Sequence, residues 1–117
     1  MSQQPNGTIH RVVFVSDRGQ PVAAPGRLVV STGDEIIFRS VDVGPVSLQF
    51  PAGILADLSG KEVTAIDIPG SGLEVQLVFR RGEQRHPGLY SYAAFCRGRG
   101  LDDAALGGSQ PKIIIYQ

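Results

Sequence analysis

Residues 88–96 read Gly88-Leu89-Tyr90-Ser91-Tyr92-Ala93-Ala94-Phe95-Cys96. Pro87-Gly88 makes a turn, and the stretch behind it alternates as a strand, with Tyr90, Tyr92, Ala94 and Cys96 on one face. Arg97 to Gly108 then reads as a loop, and Lys112 to Tyr116 as a last apolar strand that Pro111 permits to begin. The order is turn, Tyr-rich strand, a cysteine where chemistry would sit, loop and final strand.

The rest of the chain has the same texture. Fifteen glycines and eight prolines cut 117 residues into short runs rich in Val, Ile, Phe and Tyr, the spacing expected of a β-sandwich or barrel. Thr8 to Ser16 is the first strand, with Val12 and Phe14 toward the core and His10 near the end of that face. Asp17 to Pro21 reads as a turn and Val22 to Gly26 as irregular. Arg27 to Ser31 is a strand with Leu28 and Val30 inward. Thr32-Gly33-Asp34 turns tightly into Glu35 to Ser40, with Ile36 and Phe38 inward and Arg39 outward. Val46, Leu48 and Phe50 share a face in the next strand. Ile54 to Gly60 is expected to make one helical turn, and Lys61 to Ile68 to be extended with Val63 and Ile66 partly buried. Pro69-Gly70-Ser71-Gly72 is a strong turn signal. It leads into Leu73 to Phe79, with Leu73, Val75, Leu77 and Phe79 on one face. Leu101 to Leu106 is expected to be a short helix, started by Asp102 and Asp103 and ended by Gly107-Gly108.

One domain is expected at this length, residues 8–117, behind a polar tail at residues 1–7. Lys plus Arg balances Asp plus Glu at 11 each, which argues against a nucleic-acid binder. No apolar run approaches the roughly 20 residues of a membrane helix, so no membrane insertion is expected. The polar opening does not read as a secretory signal, so the chain is expected to be cytoplasmic, or exported if a signal has been removed. A single cysteine excludes an internal disulfide.

Three segments in this order resemble the cupredoxins of the plastocyanin and azurin type. Leu28 to Phe38 looks like that family's strand, Gly-acidic turn and strand. Ser40 to Phe50 looks like the strand that brings in its first ligand histidine, and Pro87 to Tyr92 like the strand that ends at its ligand cysteine. The resemblance implies an all-β, antiparallel Greek-key sandwich of about seven to eight strands. It also implies a type 1 copper site of two imidazoles and a thiolate, with a weak axial Met. Those ligands are not in place. Val46 stands where the family carries its first histidine. Counting from Gly88 puts the cysteine position at Ala94, and a two-residue bulge would put it at Cys96. The second histidine then falls on Arg97 or Arg99. The loop from Arg97 to Gly108 has neither His nor Met, and the only methionine is Met1. The expectation is a sandwich that folds without a cofactor, its former metal end closed by Val46 and Ala94.

Each candidate residue has a plainer reading beside the chemical one. Cys96 beside Arg97 and Arg99 would be a lowered-pKa nucleophile, or else a buried small hydrophobe. His86 lies at the far end of the Tyr strand, where eight residues of strand span roughly 26 Å. His10, His86 and Cys96 match no ligand spacing. Arg97-Gly98-Arg99-Gly100 would grip an anion or be a solvated loop. Asp102-Asp103 would be a catalytic pair or helix caps. The reading these weigh toward is not an enzyme. It is a binding or assembly module whose contact end carries Val46, Ala94, Cys96, Arg97 and Arg99. Its partner is another protein or a second copy, through sheet edges or apolar strands such as Ile113 to Tyr116. The alternative is a copper-binding or electron-transfer protein with a remodelled site using Cys96 and His10.

Overall fold

The computed structural model describes residues 8–80, 88–96, 103–104 and 112–116. The strands in chain order are β1 (Ile9–Asp17), β2 (Gln20–Ala24), β3 (Arg27–Ser31), β4 (Glu35–Ser40), β5 (Val46–Gln49), β6 (Leu55–Ala56), β7 (Glu62–Val63), β8 (Ala65–Ile68), β9 (Val75–Phe79), β10 (Gly88–Ser91), β11 (Ala93–Cys96), β12 (Asp103–Ala104) and β13 (Lys112–Tyr116). One layer is a six-stranded sheet in the order β2-β1-β4-β9-β6-β7. The facing layer consists of two smaller sheets, β10-β13-β3 and β12-β11-β5-β8. The inward rows of all three meet in one apolar core.

The core follows from period-two alternation. Val12 and Phe14 of β1, Ile36 and Phe38 of β4, Leu77 and Phe79 of β9, and Val46 and Leu48 of β5 are all buried. Phe38 is the hub of an aromatic cluster. Its ring centroid lies 6.1 Å from Phe14, 5.8 Å from Phe50 and 6.0 Å from Tyr92, and Phe50 and Tyr92 are 5.2 Å apart. Rings at these separations add to their burial energy. Burial also pushes the Tyr92 phenol pKa upward.

The sandwich is all-β as expected, but its ladders are mixed. β1 runs parallel to β4, and β13 parallel to β3. Between β1 and β4 the chain crosses to the other layer through β3, so β4 returns in the direction of β1. The segment from Val22 to Gly26 is not irregular. Residues 20–24 form β2, hairpinned to β1 across Arg18 and Gly19, whose φ values of 55° and 79° suit the twist of a tight two-residue turn. Pro21 is tolerated because β2 is an edge strand.

The helical turn expected at Ile54 to Gly60 is also absent. Leu55 pairs with both Val63 and Phe79, and Ile54, Leu55 and Ala56 are consecutively buried, a pattern that suits a strand rather than one helix face. Leu73 lies ahead of β9 and is exposed rather than inward. Asp103 and Ala104 pair with Cys96 and Phe95 as β12, so Asp103 is a strand residue and not a helix cap. The remainder of Leu101 to Leu106 lies outside the described residues, as does most of the loop from Arg80 to Gly88.

The Thr32-Gly33-Asp34 turn carries a buried polar knot. Asp34 Oδ1 accepts from the Thr8 N–H at 3.0 Å. Its Oδ2 accepts from the Ser31 N–H at 2.9 Å and from His10 Nε2 at 2.7 Å. A carboxylate only accepts, so Nε2 is the protonated nitrogen of His10. Asp34 also takes the Phe79 N–H on its carbonyl at 2.8 Å. Burial pushes the Asp34 carboxyl up. The hydrogen bond from His10, those from Ser31 and Thr8, and the charge interaction with His10 outweigh it and hold the pKa below the usual carboxylate range.

A depressed carboxyl contributes stability above its unfolded pKa of about 3.9. That contribution is lost as pH falls through the lower folded value. Asp34→Asn should therefore cost about 2–3 kcal/mol at pH 7, because it removes charge-assisted hydrogen bonds. The gap in Tm between the parent and Asp34→Asn should shrink as pH falls below about 4. Thermal melts of both proteins between pH 2 and pH 7 check this.

Candidate functional site

β5 leaves the 41–45 loop, and this end of the sandwich is tied down locally. The Val41 N–H donates to Phe14 O at 2.9 Å, the Ser16 N–H to Asp42 Oδ1 at 2.7 Å, and Ser40 Oγ to Gly44 O at 2.5 Å. Gly44 has a φ of 78°, a conformation that favours glycine. The 69–72 turn packs directly onto this corner. A Cβ built on Gly70 would stand 2.9 Å from the Gly44 carbonyl carbon and 2.9 Å from Pro45 N.

Behind the corner the strands lie in register. Cys96 pairs with Val46, and Val46 with Ile68, so these three form one row across β11, β5 and β8. The next row is Ala94, Leu48 and Ile66. Cys96, Val46, Ile68, Ala94 and Leu48 are each no more than 1% exposed. The structure thus brings together three of the residues singled out in the sequence, Val46, Ala94 and Cys96. Cys96, rather than Ala94, stands across from Val46. Arg97, Arg99 and His86 lie outside the described residues.

His10 is elsewhere. It is level with Ile36 at the start of β4, whereas the Cys96 end follows Ser40 at the finish of β4. Ile36 to Ser40 alone is about 13 Å of strand. Tyr92 packs on Phe38, and Cys96 lies a further four residues along, on the side away from His10. The topology therefore separates His10 from Cys96, and the His10 ring is already bonded to Asp34. Among the described residues no group of three or more His, Cys, Asp or Glu is gathered as a metal site would need.

Val46 and Ala94 are inside, so other residues form the outer surface of this end. Val41 is 47% exposed in the 41–45 loop, Leu73 is 66% exposed after the 69–72 turn, and Pro45 is exposed between them. Reading the sequence alone missed this surface. Leu73 continues the alternation of β9, and only the late start of the strand at Val75 turns it outward. The Asp34–His10 pair was missed as well. The two residues are separated by 24 positions and match no local motif.

No family model matches the chain, and no curated protein matches it. Solved structures do. A purple cupredoxin from Nitrosopumilus maritimus superposes with a TM-score of 0.53 at 16% identity, over 92% of this chain and 99% of that one. A reduced single-substitution variant of amicyanin gives 0.54 at 16% identity, over 95% and 84%. A multicopper oxidase from Campylobacter jejuni, a metallo-oxidase, gives 0.55 at 12% identity, over 100% of this chain and 31% of that one. The chain has a cupredoxin-like fold.

Because backbone lies against Gly70, Gly70→Ala should push the 69–72 turn off the 44–45 corner and cost about 1–3 kcal/mol. Gly26→Ala, whose new Cβ meets only an ordinary 3.7 Å contact, should be nearly neutral. Chemical denaturation of the two variants beside the parent checks the contrast.

Proposed function

We propose that this cupredoxin-like domain is a non-catalytic binding or assembly module without a type 1 copper centre. The placement of His10 carries the reading. A type 1 site needs two imidazoles beside its thiolate. The chain has two histidines, and one is held by Asp34 far from Cys96. At most one imidazole, that of His86, is left for a site at Cys96. Across from the thiol stands Val46, with Ile68 beyond it, so the position that the sequence resemblance gives to the first imidazole carries an apolar side chain that donates no lone pair. The residues present do not fit a type 1 copper ion, although the matched solved structures include copper proteins by name. The same separation argues against the remodelled site that pairs Cys96 with His10.

A module of this kind binds through its surface. The exposed apolar groups at the Cys96 end, Val41, Pro45 and Leu73, offer a face to a protein partner or a second copy. Strand-edge pairing through β13 does not suit that role, because β13 is hydrogen-bonded on both sides, to β10 and β3.

Tag-free protein incubated with copper(II) and dialysed should retain much less than one copper per chain and show no intense visible thiolate-to-copper band. One retained copper with that band would overturn the reading. The surface is tested separately by sedimentation over a range of concentrations. Self-association weakened at least tenfold by Leu73→Glu, with Tm unchanged, is the result expected for a second copy. A strict monomer assigns the face to a different protein.

A further inference from the structure

At the opposite end from Cys96, the outer surface of the six-stranded sheet carries a cleft of about 490 Å³. Its floor is built by register. Glu35 of β4 pairs with Val78 of β9, and Val78 with Ala56 of β6, so the three form one outward row. The loop between β6 and β7 raises a wall on one side, with Asp57 and Leu58, and Arg80 closes the end. The volume is in the range of small-molecule sites.

The charges are unevenly matched. Arg80 is paired with Glu62 at 3.5 Å. Asp57 is locked in its loop: Oδ1 accepts from Ser59 Oγ at 2.6 Å and from the Ser59 and Lys61 N–H groups at 3.0 Å each. Those bonds, with Lys61 close by, hold its carboxyl below the usual range, so it is ionised at neutral pH. Glu35 differs. Its Oε1 accepts from the neutral amide of Gln76, and among the described residues no cation pairs with it. Nearby Arg11 is committed to Glu74 at 3.0 Å. Among the described residues, the cleft therefore has a half-buried carboxylate, Glu35, that no cation pairs with, beside an apolar strip formed by Val78 and Ala56. Leu58, 65% exposed, stands at the lip.

We propose that this cleft binds a small organic ammonium ion with an aliphatic body, the ammonium on Glu35 and the body along Val78, Ala56 and Leu58. An anion would meet Glu35 and Asp57 together, and among the described residues the one lining cation, Arg80, is already paired with Glu62. A bare metal ion would gain nothing from the apolar strip, and these two carboxylates are not part of any three-residue ligand group among the described residues. A positively charged head on an apolar stem satisfies both features of the lining. The site lies away from Cys96, so the proposal stands whether or not the reading of the copper end holds.

The test compares three probes with the same six-carbon body: hexylammonium, hexanol and hexanoate. Isothermal titration calorimetry at low ionic strength should show saturable binding of hexylammonium. Hexanol should bind roughly tenfold more weakly or worse, and hexanoate not measurably. Raising the salt should weaken the ammonium alone. Glu35→Gln should abolish the preference for hexylammonium over hexanol with Tm within a few degrees of the parent. Leu58→Ala should weaken both probes in parallel. Because Glu35→Gln also alters the contact with Gln76, a Gln76→Ala variant that keeps the preference shows that loss of charge, and not local disorder, is responsible. No saturable hexylammonium binding, equal binding of all three probes, a preference that survives in Glu35→Gln, or displacement by equimolar calcium would each overturn the proposal.

Discussion

The carboxylate of Asp34 is the point on which the sandwich closes. One side chain collects the start of β1 through Thr8 and His10, and the end of β3 through Ser31. Its own backbone receives the end of β9 through Phe79. β1 and β9 belong to the six-stranded sheet and β3 to the facing layer, so this single group holds the two layers at one edge. A buried carboxylate is costly unless every lone pair is used. Here two backbone donors and an imidazole meet that need, and the group remains ionised in a buried position.

The same commitment limits what the other end can do. Once His10 serves Asp34, it is not available to Cys96. The fold is one that solved copper proteins share, but fold alone does not transfer chemistry. In this chain the row containing the thiol continues through Val46 and Ile68, which are fully buried. Apolar packing fills the space there, along the ladder that pairs β5 with β11.

Where alternation was strong, the fold was legible in the sequence. Val46, Leu48 and Phe50, or Ile36 and Phe38, can lie only one way on a half-buried strand, because a one-residue slip would turn every apolar group to water. Legibility failed where pattern and pairing are decoupled. Pro21-Val22-Ala23-Ala24 has little contrast between faces, and it becomes β2 only because β1 is beside it. Ile54-Leu55-Ala56 is apolar throughout, and short apolar runs do not distinguish a helical turn from a strand. At the candidate site, the inward side of Val46 was readable from its alternation with Leu48 and Phe50, but which residue faces it across the ladder was not. The strand interrupts at Tyr92 between β10 and β11, and a count from Gly88 through that break leaves Ala94 and Cys96 both open; the ladder sets Cys96 across from Val46.

The place of β13 bears on how this chain comes to be folded. It is the central strand of its sheet, inserted between β10 and β3, with Lys112 opposite Arg27 and Tyr116 opposite Ser31. During synthesis β3 therefore emerges long before the strand that will cover its edge. Until residues 112–116 leave the ribosome, β3 presents an unpaired edge beside the apolar side chains of Leu28 and Val30. Pairings this distant in sequence form late and slowly. The layer that contains β3 is therefore completed only when residues 112–116 join it.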